Sequence, residues 1–186
     1  RETLLGLKTV RQLGGMPFVP LRLHTVPNHK VRLKRTFDVG VTLLFAPIWI
    51  PVVALVGLWV RVRSGGPVLY QQTRVGRDGA IFECIKFRTM IPDAEEDGRA
   101  RLATLDDDRI VPALAWMRKM RADELPQLFN VLRGEMSLVG PRPERPELVA
   151  EITRRVPGYI RRNELPPGLT GLAQVHGRYG TDAEYK

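Results

Sequence analysis

The chain has 186 residues, room for one domain of ordinary size or one domain plus a remnant. Its 29 Lys and Arg against 20 Asp and Glu give a formal charge of +9, which suits an anionic partner such as nucleic acid, an anionic lipid surface or a phosphorylated substrate. The single cysteine, Cys84, excludes an intramolecular disulfide, the scattered His24, His29 and His176 offer no zinc spacing, and no groove-reading motif points to nucleic acid.

Residues 1–30 read as a short apolar piece (Leu4, Leu5, Leu7, Val10), a turn at Gly14-Gly15, a strand-like Met16 to Leu23 and a linker ending at Val26-Pro27-Asn28. They look like the tail of an upstream domain, and the chain is expected to be an excerpt from a longer protein. Lys30 to Asp38 forms a basic amphipathic lead-in in which Arg35 and Asp38, three apart, could pair.

From Val39 to Val60 the sequence VGVTLLFAPIWIPVVALVGLWV carries no ionisable side chain. As one helix it would rise ~33 Å, enough to cross a hydrocarbon core. Pro47 and Pro51 each remove a backbone donor in its middle, so a bend is expected there. Both flanks are basic, with Lys30, Arg32, Lys34 and Arg35 before and Arg61 and Arg63 after, whereas a crossing segment should be asymmetric. The pattern favours a helix that enters one leaflet and leaves by the same face. A kinked crossing helix stays open, and a soluble core helix, which would carry a polar stripe, fits worst.

Ser64-Gly65-Gly66-Pro67 is a stop signal. Two strands follow, Val68 to Gln71 and Ala80 to Met90, around a Gly-rich turn at Gly76–Gly79. Asp93 to Leu105 reads as an exposed helix. Asp106-Asp107-Asp108 reads as a solvated run before a helix, since successive residues on a loop rarely face one ion. Ile110 to Met120 is expected to be amphipathic and helical. In the next helix Leu125, Leu128, Phe129 and Leu132 line one apolar face, and Pro126 in its first turn puts Asp123 and Glu124 at its N-terminus. Gly134 ends that helix, Gly140-Pro141-Arg142-Pro143 forms a rigid corner, and Glu147 to Val156 is a further helix. The remainder, Pro167 to Arg178, is loop and short strand. Cys84, in an apolar run, reads as a packing residue.

An Asp-Glu pair in a first helical turn ordinarily just complements the helix dipole. Here Arg118, Lys119 and Arg121 arrive immediately before the pair, and Arg142 is held within reach of the same turn. Carboxylates amid cations at a helix start suit a phosphate-and-Mg²⁺ site in which one carboxylate attacks phosphorus. The cations are expected to lower the Asp123 pKa and keep it ionised.

These residues sit in a series of blocks that resembles the bacterial sugar transferases, the monotopic phosphoglycosyl transferases that begin polyprenyl-linked glycans. The blocks are Lys34-Arg35-Thr36-Phe37-Asp38, Pro51, Gly66-Pro67-Val68 with Gln72 and Arg74, and Phe82 with Lys86 to Met90. Asp123 to Leu132 follows, then Gly134, Met136-Ser137, Val139 to Pro143, Pro167 to Gly171, Ala173 to Val175 and Gly177-Arg178. The resemblance implies an α+β monotopic membrane fold with a re-entrant helix kinked at Pro51, assisted by Pro47, with amphipathic interfacial helices and a small β-hairpin. It implies three parts: a remnant over 1–30, the basic lead-in and re-entrant helix over 31–64, and a cytoplasmic-face catalytic domain over 65–186 that is truncated at its C-terminus.

The implied activity is transfer of a sugar 1-phosphate from a UDP-sugar to undecaprenyl phosphate, releasing UMP, at the bacterial inner membrane. That is the first membrane step of exopolysaccharide, capsule or O-antigen synthesis. Asp123 falls on the family's nucleophile and Glu124 on its partner, with Mg²⁺ bound by both. Arg118, Arg142, Lys86, Gln127 and Arg178 fall on phosphate- or substrate-binding positions. Membrane lipids are expected partners, nucleic acid is not, and a homodimer is left open. The chain departs from the family pattern at Ile50, Arg121, Ala122, Leu172 and His176. Two alternatives remain: Asp123 as base or metal ligand for direct attack by the lipid phosphate, and a non-catalytic membrane scaffold or lipid-binding module of the same fold.

Overall fold

The computed structural model describes residues 11–13, 16–18, 28–91, 107–156, 158–171 and 174–175, and it divides the chain into two compact units, Arg1–Leu33 and Lys34–Lys186. In the first unit β1 (Arg11–Leu13) and β2 (Met16–Phe18) pair antiparallel, with Leu13 opposite Met16. The apolar piece expected before Arg11 and residues 19–27 lie outside the described residues, as does the helix expected over Asp93 to Leu105.

The apolar stretch folds as two helices, α1 (Asn28–Leu44) and α2 (Ala46–Ser64), parted by Phe45 alone. The helical ladder is intact up to this point, since Phe45 N donates to Val41 O at 3.1 Å and Trp49 N to Phe45 O at 3.0 Å. Pro47 has no N–H for the preceding turn. At the Phe45 break Trp49 donates its indole N–H to Thr42 O at 2.9 Å, the carbonyl an unbroken helix would bond to Ala46 N. Pro51 lies inside α2, which continues through it as helix. The side chains of Leu43, Leu44, Ile48, Leu55, Leu58 and Val62 are exposed, and α2 has the length and composition to cross a membrane. It closes at Gly65, whose φ of 64° is the left-handed ending that glycine accepts without strain.

β3 (Leu69–Val75) and β4 (Ile81–Phe87) form an antiparallel hairpin from Leu69↔Phe87 to Val75↔Ile81. Its turn bends through Asp78 (φ 54°) and Gly79 (φ 81°). The second half of β4 is covered on both faces and organises the core, while Ile81 and Glu83 stay exposed. Phe82 and Cys84 point one way, packing with Val131, Met136 and Leu138. Phe87 points the other way, into Val60, Leu114 and Met117, with Val53, Val56 and Leu125 against them. Val75, Val149, Ile152 and Tyr159 make a third cluster, which packs α5 (Pro146–Arg155) on the end of β3.

Two expectations need correcting. Ile110 to Met120 is not one helix: Ile110 bridges Met90 as an isolated strand residue, and Val111 N donates to Thr89 O. Pro112 then starts a 3₁₀ turn (Pro112–Leu114), leaving α3 only Ala115–Lys119. The apolar stripe of α4 (Gln127–Arg133) is also not its buried face. Gln127, Asn130 and Val131 are buried instead, while Phe129 stays partly exposed and meets Trp49 edge-on, ring centroids 5.0 Å apart. The polar residues can turn inward because Asn130 is fully paired. Its amide accepts from Ile85 N at 3.1 Å and donates to Glu83 O at 2.8 Å and Glu135 Oε2 at 2.7 Å.

The lead-in residues pair differently from expectation as well. Asp38 takes Lys34 at 3.2 Å and Ser137 Oγ at 2.7 Å rather than Arg35. Arg35 donates to the last carbonyls of α4, Val131 O and Leu132 O (2.8 Å to the latter), a favourable place for a cation at a helix C-terminus. Gly134, with φ 90°, ends α4 against that guanidinium. β5 (Ser137–Val139) then pairs parallel with β6 (Gly168–Thr170).

Candidate active site

Asp123 and Glu124 lie in a 3₁₀ turn, Ala122–Glu124, one turn ahead of α4. This differs from the expected first turn of the helix itself. The amides there are engaged within the chain, Glu124 N on Arg121 O and Leu125 N on Ala122 O, so the neighbouring cations rather than the helix mouth supply positive charge. The turn is launched by Arg121 in the left-handed region (φ 56°), a conformation that strains a side chain bearing Cβ.

Glu124 is buried, and both Lys86 Nζ and Arg142 Nη2 lie 3.2 Å from its Oε1. Lys86 reaches it because it follows Phe82 and Cys84 on the same face of β4, while Arg142 comes from the corner after β5. Burial alone pushes the Glu124 carboxyl upward, but Lys86 and Arg142 outweigh it and hold the group below its ordinary value. Asp123 shows the reverse. Burial raises its carboxyl above the ordinary value, Glu124 adds to the rise, and Lys86 and Arg118 only partly oppose it. The expectation of a lowered Asp123 pKa is therefore overturned, because desolvation exceeds the pull of the cations.

Around Glu124 is a small open cleft lined by Arg74, Cys84, Lys86, Glu124, Gln127, Arg142, Pro143, Gly168 and Leu169. Lys86 and Arg142 share the Glu124 carboxylate, while Arg74 has Glu144 at 3.8 Å. Gln127 is buried at its edge. Arg118, in the last turn of α3, reaches the site through its field on Asp123 but does not line the cleft. Arg178 lies outside the described residues. Pro47 and Pro51 belong to α2. Asp107 is bound by Arg109 (Nη2 at 2.6 Å), whose hydrogen bonds hold its carboxyl below the usual carboxylate range, and Asp108 is in a turn beside it.

Sequence reasoning missed the roles of Arg74, Cys84 and Asn130. Asn130 had a signal, a polar residue three after Gln127 on an otherwise apolar helix. The others depend on contacts between distant segments. Cys84 packs as expected but also floors the cleft, and burial raises its thiol pKa, keeping it protonated.

For a divalent cation the donor set fits in number and kind. Lys86 and Arg142 both bond Glu124 through Oε1, at 3.2 Å each, and the Asp123 carboxylate is adjacent in the chain. Mg²⁺ is commonly held by one or two carboxylates together with substrate phosphates. No group of three His, Cys, Asp or Glu side chains is assembled among the described residues.

A carboxylate pair, Glu124 buried and Asp123 half-buried, set among Lys and Arg near an exposed apolar helix pair, is suited to handling an anion. Residues 29–186 match the bacterial sugar transferase family, and the chain belongs to it. It is 42% identical over 178 residues to a UDP-glucose:undecaprenyl-phosphate glucose-1-phosphate transferase of Caulobacter vibrioides, covering 95% of this chain and 62% of that protein. It is 39% identical over 152 residues to a UDP-N-acetylgalactosamine-undecaprenyl-phosphate N-acetylgalactosaminephosphotransferase of Aeromonas hydrophila, covering 82% of this chain and 36% of that one. With the exopolysaccharide production protein ExoY of Rhizobium meliloti it shares 40% identity over 191 residues, 92% of this chain and 81% of that protein. The chain thus spans about a third of the Aeromonas protein's length.

Proposed function

We propose that the chain is the catalytic part of a phosphoglycosyl transferase that moves a sugar 1-phosphate from a UDP-sugar to undecaprenyl phosphate, giving undecaprenyl-diphosphate-sugar and UMP. The observation that carries this reading is the Lys86–Glu124–Arg142 arrangement beside a second, desolvated carboxylate on Asp123. In the first step an Asp123 oxygen bonds to the sugar-bearing phosphorus, and the bond from that phosphorus to the UMP oxygen breaks. In the second, an oxygen of the lipid phosphate bonds to the same phosphorus and the Asp123–phosphorus bond breaks. Burial makes Asp123 a more basic, hence stronger, nucleophile than a solvated carboxylate. Glu124 fixes Lys86 and Arg142 in place to balance the charge of the diphosphate, Gln127 and Arg178 complete the substrate contacts, and Arg118 adds positive charge near Asp123. Mg²⁺, held by Asp123 and Glu124, would supply neutralisation of the donor diphosphate.

The acceptor is a lipid, so the site must sit at a bilayer surface. The exposed apolar side chains of α1 and α2 support this. Re-entry rather than crossing is supported by Arg35 and Asp38, which precede the apolar stretch yet bind Leu132 O and Ser137, which follow it. The reading places the protein at the bacterial inner membrane with its site facing the cytoplasm, at the first step of a surface-polysaccharide pathway.

The deciding experiment is a panel of UDP-sugars with undecaprenyl phosphate and Mg²⁺, scored by UMP release, with labelled phosphosugar trapped on the protein when acceptor is omitted. UMP release without a trapped adduct would favour Asp123 as base for direct attack. No UMP from any donor, with lipid binding intact, would leave a non-catalytic lipid-binding module.

A further inference from the structure

Arg142 sits on an irregular corner, so its aim at Glu124 depends on what holds the backbone beneath it. Every carbonyl from Pro141 to Glu144 is taken, each by a different residue. Gly168 N donates to Pro141 O at 2.8 Å and Val75 N to Glu144 O at 2.9 Å. The two central carbonyls are held by side chains: Arg162 Nη2 to Arg142 O at 2.6 Å and Arg74 Nη1 to Pro143 O at 2.9 Å.

Arg74 lines the cleft, whereas Arg162 does not. Arg162 belongs to the 3₁₀ segment Tyr159–Glu164. Its other terminal nitrogen donates to the Tyr159 hydroxyl, and its guanidinium carbon lies 4.8 Å from the centre of that ring. Tyr159 is in turn buried among Val75, Val149 and Ile152. A planar fork can bond a carbonyl and a phenol at once while stacking on the ring, which a single ammonium cannot do.

We propose that Arg162 is a positioning residue for catalysis: anchored on Tyr159, it fixes the Arg142 peptide so that the Arg142 guanidinium faces Glu124 and the donor diphosphate together. This rests on the diphosphate reading above. It ties the packing of α5 and the segment after it to donor binding, although neither lines the cleft.

The test is a double-mutant cycle in the intact protein in lipid nanodiscs, scored by UMP release. Arg162→Met should lower kcat/KM roughly tenfold, mostly through the donor KM, the scale of one charge-assisted hydrogen bond. In an Arg142→Ala background the same change should cost less than about twofold, because residues acting through one another are not additive. Tyr159→Phe should give a smaller loss with the same dependence and keeps the core ring, so it carries the cycle if Arg162→Met fails to fold. Arg162→Lys should restore only part of the loss. Wild-type-like activity in Arg162→Met, or losses that multiply in the Arg142→Ala background, would overturn the proposal. Wild-type protein that releases no UMP from any donor would instead overturn the reading of the site, and UDP affinity by calorimetry would then report the same cycle.

Discussion

Asp123 and Glu124 are adjacent in the chain, yet burial acts on them with opposite outcomes. Glu124 has Lys86 and Arg142 at 3.2 Å and is held below its ordinary pKa, so its stabilising contribution is present at neutral pH and lost as acid protonates it. Asp123 is raised, so the folded state holds its proton more tightly than the unfolded chain, and ionising it at neutral pH works against folding. Asp123→Asn should therefore abolish UMP release while raising the melting temperature by about 2 °C, on the scale of ~1 kcal/mol for a domain of this size. Activity lost together with stability would argue for a structural role instead. Glu124→Gln should do the opposite, destabilising by about 2 kcal/mol, less than a sealed ion pair because the cleft is open. The acid limb of kcat/KM should lie above 3.8, the ordinary Asp value, and should vanish in no variant that keeps Asp123. A limb at or below that value would show that burial does not govern the nucleophile.

At the scale of elements, what the sequence made legible was local. The hairpin turn at Gly76–Gly79, an interruption within the apolar stretch and the left-handed stop at Gly134 follow from Gly and Pro, whose backbone limits are fixed by chemistry, although the interruption falls at Phe45 and the helix expected from Glu147 begins at Pro146. The Asp-Glu pair among cations was also legible, because its members are neighbours. The parallel pairing of β5 with β6 was not, since Ser137 and Gly168 are separated by α5 and carry no alternating pattern. Nor was the inward face of α4, where a tethered amide overrides hydrophobic periodicity. The β5–β6 contact explains Gly168 within it and Gly140 just after β5. A Cβ on Gly140 would come within 2.8 Å of Gly168 N, and one on Gly168 within 2.5 Å of Gly140 Cα. Gly140→Ala should accordingly displace the Arg142 corner and cost about 2 kcal/mol, in the range for overpacking. Gly40→Ala, with nothing within 4 Å, should be neutral or slightly stabilising in its helix. Trp49→Phe keeps the edge contact with Phe129 but frees Thr42 O, and should cost about 1 kcal/mol by denaturant titration.

At the scale of the whole molecule, the question is how an apolar helix pair can be bound at its start by a domain that follows its end. Lys34, Arg35 and Asp38 lie before the apolar stretch, and their partners Val131, Leu132 and Ser137 lie after it. A straight crossing would place those partners about 30 Å apart, on opposite sides of the hydrocarbon core. On the membrane reading proposed above, keeping the Arg35 and Asp38 contacts brings the chain back to the face it left, with the interruption at Phe45, where Trp49 serves the freed carbonyl, as the place to turn. Cysteines introduced at the exposed positions Thr36 and Pro67 should both react with a membrane-impermeant maleimide in inverted vesicles, and neither should react in spheroplasts. Background labelling should be low because the native Cys84 is buried. Labelling of the two sites from opposite faces would mean that α1 and α2 cross, and Asp123 could then not meet a water-soluble donor and a membrane-held acceptor on the side where Arg35 anchors its helix.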